Sequence, residues 1–303
     1  MQFPRRRDLH QKDGEPDGAA WIWGKDDELG RLNLQTPDTV KEAVLSVVTG
    51  QVIPLNLPFD NPSPPCYGRA AFQHNVVQLD KHAFDETYTT ATDILGHGKS
   101  HKCGIQAWAN HGIVGRAILL DYGRYAESNN IEVEYYDNYK ITYNDLVNVA
   151  KSQRIDLRPE RDGGDIKPAD ILLIRSGFLK HDRAVSEEVR VKIHGRPTIF
   201  GPSEGQRYIG VEQSDQVLDL LHDCYFSAVA GDQPAFEAWP SDKDYYLHEY
   251  LLSLWGCPIG EFWDLERLGA ACAENNRWIF FLSSTPNNVS GGVGSTSNVL
   301  AIL

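Results

Sequence analysis

Short runs of continuous apolar residues alternate along this chain with amphipathic stretches, and turn residues separate the two. The runs Gly115 to Tyr122, Asp170 to Gly177, Cys224 to Ala230 and Arg277 to Leu282 each read as a buried strand. Gln51 to Pro58 reads as a further short strand that its prolines confine to an edge. A helical period marks Pro37 to about Val48, entered through Thr36 with Asp38 in the first turn and ended by Gly50. Further helices are predicted over Ile105 to His111, Thr142 to Gln153, Ser214 to Leu221, Tyr245 to Trp255 and Leu265 to Glu274. No internal repeat or low-complexity linker interrupts this order. It predicts a single-domain α/β fold over residues 21–303, a mixed sheet with flanking helices. Residues 1–20 are polar and are expected to form a flexible N-terminal segment.

Composition narrows the function classes. The 303 residues are 41% hydrophobic, enough for one large core. Acidic residues number 42 against 29 basic ones, a net charge of -13, which disfavours a nucleic-acid surface because backbone phosphates need positive charge. The five cysteines are widely spaced and form no CxxC pair, so they read as reduced thiols of a cytoplasmic protein. The stretch Met1 to Arg7 is basic but no apolar segment follows it, so no secretory signal is expected. No membrane span is expected either, since one needs about 20 continuous apolar residues. The expected partner is a small molecule.

Four residues carry most of the chemical signal. Asp93 and His97 sit four apart behind a Thr-rich approach that starts at Thr87, and His248 and Glu261 flank an apolar segment ending in Gly260. A carboxylate and an imidazole in each cluster suit either metal binding or proton transfer. Each has a plainer alternative. His248 shares a helical face with Leu252 and can be a satisfied core histidine, and Asp93 can belong to a turn. Glu261 lies between Gly260 and Phe262-Trp263; burial there needs a partner and raises a carboxyl pKa toward that of a general acid. Arg175, at a strand end, can bind a substrate carboxylate bidentately or pair with Asp170. Asp232 can orient a histidine or cap the next segment. Trp108 and Trp263 can stack on an aromatic substrate, with Trp239 and Trp255 as further candidates, or be core. Asn287, Asn288 and Ser290 can donate to an oxyanion. The chain has no GxSxG elbow and no phosphate-binding glycine loop.

Several separated stretches, in order, resemble the cyclase-like superfamily that includes bacterial kynurenine formamidase and isatin hydrolase, and resemble its uncharacterised fungal members more closely still. They are Trp23 to Asn33, His111 to Asp121, Asp170 to Gly177, Ala228 to Pro234, Leu247 to Leu252 and Gly260 to Glu266. The resemblance spans the chain from about residue 21 to its end. It implies the swivelling β/β/α fold of that family and homodimeric or homotetrameric assembly.

The family's metal motif, HxGTHxDxPxH, falls on Thr87, Ala91, Asp93 and His97, so its first two histidines are missing. The resemblance makes His97 the proton-transfer residue and places His248 and Glu261 at or beside the metal centre. A retained divalent zinc or manganese ion would have Asp93, His248 and Glu261 as ligands. The loss of two imidazoles instead favours an enzyme with no metal cofactor, with His97 as base, Asp93 orienting it, and Glu261 as acid near His248. That arrangement suits dehydration, isomerisation or ring closure of a small aromatic or polyketide-like metabolite. The alternatives are metal-dependent hydrolysis of a formamide, lactam or lactone, and a catalytically dead scaffold.

Overall fold

A computed structural model describes residues 3–9, 14–78, 84–89, 102, 104–197 and 205–303. Its strands are β1 (Val52–Pro54), β2 (Gln73–Gln78), β3 (Phe84–Thr89), β4 (Ile113–Asp121), β5 (Lys140–Ile141), β6 (Ile171–Arg175), β7 (Gly210–Val211), β8 (Ala228–Gly231), β9 (Ile259–Gly260), β10 (Ile279–Ser284) and β11 (Val299–Ile302). The helices are α1 (Pro37–Val44), α2 (Ile105–His111), α3 (Tyr122–Ser128), α4 (Tyr143–Ser152), α5 (Phe178–Ala184), α6 (Glu187–His194), α7 (Asp215–Asp223) and α8 (Glu266–Glu274).

Seven strands form one mixed sheet in the order β1-β11-β10-β4-β6-β8-β9. From β1 to β4 neighbours run antiparallel, and from β4 to β9 they run parallel. The apolar pattern dictates this division. Strands β6 and β8 are buried at every position, as parallel strands covered on both faces must be. Strand β10 alternates buried and partly exposed positions, the mark of a sheet with one covered face. The helices α1, α4, α6 and α7 begin at Thr36, Thr142, Ser186 and Ser214, whose hydroxyls each accept a backbone N–H of the first turn. The predicted α/β class and mixed sheet are therefore what the chain adopts.

Two regions differ from the pattern-based expectation. Residues 3–9 pack against the body: Arg6 bonds Asp215 and Asp219, Arg5 bonds Asp162, and Phe3 stacks on Tyr225. The partners lie more than 150 positions away, so composition of the segment alone does not reveal them. The helix expected over Tyr245 to Trp255 is a π-helix, Glu249–Leu254, with Trp255 N–H reaching back to the Tyr250 carbonyl. Single π turns are frequent at functional sites.

Candidate active site

Strand β9 lies at the edge of the sheet, beside β8, and Glu261 follows it directly. Backbone bonds lock this position: Phe262 N–H donates to the Gln233 carbonyl at 3.2 Å and Trp263 N–H to that of Gly231 at 3.0 Å. Phe262 adopts φ 54°, a conformation that costs a residue of this size roughly 1–3 kcal/mol, and such strain clusters at functional sites. His248 caps the start of the π-helix, and its side chain is about one-third exposed (32%) rather than a core group.

The two meet. His248 Nε2 lies 3.1 Å from Glu261 Oε1, which also accepts the Phe236 N–H at 3.1 Å. The other ring nitrogen, Nδ1, lies 2.5 Å from Oε1 of Glu237, a residue with no exposed surface. Glu237 further accepts the backbone N–H groups of Leu247 and His248 and the Gln213 side-chain amide. Its backbone is fixed by a bridge to Val211 of β7. Carboxylate oxygens of this kind are acceptors, so both ring nitrogens donate and the ring is an imidazolium. Burial pulls its pKa down, but the bonds to Glu237 and Glu261 outweigh this and raise it to about 10.

Sequence reasoning missed Glu237. The signal was present: a glutamate between Phe236 and Ala238, in an apolar stretch 11 positions before His248, needs a buried partner.

The pair opens onto a cavity of about 360 Å³. Trp108, Leu252, Phe262 and Trp263 give it apolar walls, and Ser284 and Ser297 add hydroxyls. The structure thus brings together His248, Glu261, Trp108 and Trp263. It does not bring Arg175 and Asp232 to this cavity. Arg175 is buried, with Nη1 2.7 Å from Asp121 Oδ1 and the other two nitrogens on Glu266 at 2.7 and 2.9 Å. Asp170, considered as its partner, pairs instead with Arg116. Asp232 is fully buried and accepts from Ser176 N–H, Ser176 Oγ–H and Gly177 N–H, at the entrance to α5. Both residues hold strand ends together. Asp93 and His97 lie outside the described residues, as does Ala91.

No family model matches the chain, and no curated protein matches it. Solved structures do match. A crystal structure of "a novel cyclase" superposes with a TM-score of 0.75 at 23% identity, covering 94% of this chain and 99% of that one. The fold is cyclase-like. Isatin hydrolase A from Ralstonia solanacearum gives a TM-score of 0.56 at 15% identity, over 83% of this chain and 91% of that one. Isatin hydrolase A from Labrenzia aggregata, solved with benzyl benzoate, gives 0.53 at 14%, over 83% and 93%.

Whether this version of the cyclase-like fold suits a divalent ion is decided by its donors. Among the described residues no three His, Cys, Asp or Glu side chains are arranged to hold a metal. Thr87 is an exposed residue of β3 opposite Asn75. His248 and Glu261 alone do not complete a zinc or manganese centre, and Asp93, the third ligand that the resemblance implies, lies outside the described residues.

Proposed function

We propose that this chain is an acid–base enzyme whose chemistry does not run through a divalent metal, acting on a small aromatic or polyketide-like substrate by dehydration, isomerisation or ring closure. One observation carries the reading: an imidazolium clamped between two carboxylates, Glu237 and Glu261, opening onto an aromatic-walled cavity. A cavity of this kind, apolar with a few convergent polar groups, is the usual form of a small-molecule site.

Glu261, read from the sequence as an acid, takes the other role here. Glu261 receives two N–H donors and serves as the base, and His248 holds the proton to be given. In the loss of water from a β-hydroxy ketone, Glu261 takes the proton α to the carbonyl. The C–O bond breaks as His248 Nε2–H protonates the departing hydroxyl. Glu237 keeps the ring charged and oriented from the side away from substrate. Trp108 and Trp263 stack on the flat part of the substrate. His97 and Asp93 remain proposed as a second base and its orienting carboxylate.

The test offers chelator-treated protein an aryl β-hydroxy ketone, an aryl formamide and an aryl lactone, each with and without added zinc or manganese. The expected result is loss of water from the hydroxy ketone, independent of metal and reduced by about 100-fold or more in Glu261→Gln, the usual contribution of a positioned acid or base. Hydrolysis of the formamide or lactone that appears only with metal would overturn the proposal.

A further inference from the structure

The role that the sequence suggested for Arg175, gripping a substrate carboxylate, has another candidate in the structure. Among the described residues that line the cavity, the charged side chains are Arg69, His248 and Glu261. Both ring nitrogens of His248 already face carboxylates, those of Glu237 and Glu261. Arg69 is the further cation at this cavity, in a chain whose net charge is -13.

Local structure holds Arg69 in place. It follows the tight turn Cys66–Gly68, in which Tyr67 adopts φ 61° and ψ 25°. Left-handed backbone is strained for a residue of this size, and such strain collects at ligand clamps and active sites. The Tyr67 N–H donates to Gln206 Oε1 at 2.8 Å, which fixes the turn. The Arg69 guanidinium carbon lies 5.4 Å from the centre of the Tyr67 ring. That ring meets Trp239 edge-on at 5.3 Å, and Trp239 stands two positions after Glu237, the carboxylate behind His248. A charge beside apolar walls loses solvation, and an aromatic face under a guanidinium offsets part of that loss. With five N–H donors, a guanidinium can keep a protein partner on one edge and offer a fork to a carboxylate on another. Arg69 is partly exposed, as a group that exchanges water for ligand has to be.

We propose that Arg69 selects substrates that carry a carboxylate, binding it through paired N–H···O bonds while the apolar part of the molecule lies against Trp108 and Trp263. The assignment rests on the reading of this cavity as a small-molecule site, and it narrows the substrate class to aromatic or polyketide-like acids. An uncharged analogue of the same shape forgoes the charge-assisted pair, whose bonds are about twice as strong as neutral ones.

The experiment titrates the full-length protein with 2-naphthoate and with 2-naphthamide, its uncharged counterpart, by isothermal calorimetry at pH 7. Naphthoate is expected to bind at least about tenfold more tightly, the gain from hydrogen bonds to a charged group. Arg69→Gln should weaken naphthoate by about the same tenfold and leave naphthamide nearly unchanged. Arg69→Lys, which keeps the charge and loses the fork, should fall between the two. Circular dichroism checks that the variants fold; should Arg69→Gln not fold, Arg69→Lys decides, and a preference equal to that of wild type then overturns the proposal. No binding by wild type, or equal binding of the two ligands, overturns it as well. So does a preference for naphthoate that survives in Arg69→Gln, which would place the anion on His248 instead. Binding is read without turnover. A protein that prefers naphthoate but removes no water from a hydroxy ketone would therefore fault the chemistry proposed above and leave Arg69 standing.

Discussion

At the scale of single residues, the site depends on the match between one positive ring and two negative groups. Glu237 is wholly buried, so removing its partner leaves a charge without compensation. We expect His248→Gln to lower stability by about 3 kcal/mol, the usual result of breaking a buried pair, as urea unfolding at pH 7 would measure. The same pair makes stability depend on pH. The His248 pKa is raised from 6.5 to about 10 on folding, so its contribution is whole below pH 6.5 and is lost as pH rises through about 10. His194 is raised over the same span. The wild-type melting temperature should therefore fall between pH 7 and pH 10, and in His248→Gln it should fall less. An equal fall in both proteins would remove His248 from the explanation.

At the element scale, a contact between two glycines positions the segment that carries Glu261. The tight turn Gly30–Leu34 and the segment after the π-helix touch through two glycines, with Arg31 N–H on the Gly256 carbonyl at 2.8 Å. A Cβ on Gly256 would lie 2.6 Å from Gly30 Cα, and its φ of 61° disfavours a side chain in any case. Gly256→Ala should therefore cost about 2 kcal/mol or more, read in urea unfolding. It should also weaken ligand binding, because the displaced segment leads straight into β9 and Glu261.

The same scale shows what pattern alone can give. The buried strands β4, β6, β8 and β10 were legible because continuous apolar runs have few other uses, and α2 was legible to the residue. Helices α3, α5 and α6 were not, since Phe178–Ala184 and Glu187–His194 are short, polar and held by packing rather than by a periodic face. The hairpin β2–β3 is exposed along all of β2, so burial leaves no signature there. The π turn escaped because Tyr245 to Trp255 reads as a regular helix until its extra residue is seen. His248 and Glu261 were legible as a candidate pair, and the structure places them 3.1 Å apart at the cavity. Arg175 and Asp232 were misleading for a physical reason, because buried charges that tie strand ends together carry the same residue types as a binding site.

Seen as a whole molecule, the chain carries a net charge of -13 around a cavity with apolar, tryptophan-bearing walls. An uncharged nitroaromatic such as nitrobenzene should quench tryptophan fluorescence saturably, and Trp108→Phe should reduce the amplitude. Quenching that rises linearly, without saturation, would mean that the probe does not occupy the cavity. No helix of the described residues is long and apolar enough to cross a membrane. The proposed proton transfer turns on the charge of one ring at that cavity. Nitrogen NMR of histidine-labelled protein measures it directly. Both His248 nitrogens should remain protonated from pH 6 to pH 9, with the ring titrating near 10. A neutral His248 ring at pH 7, with Nε2 bare, would contradict the site described above.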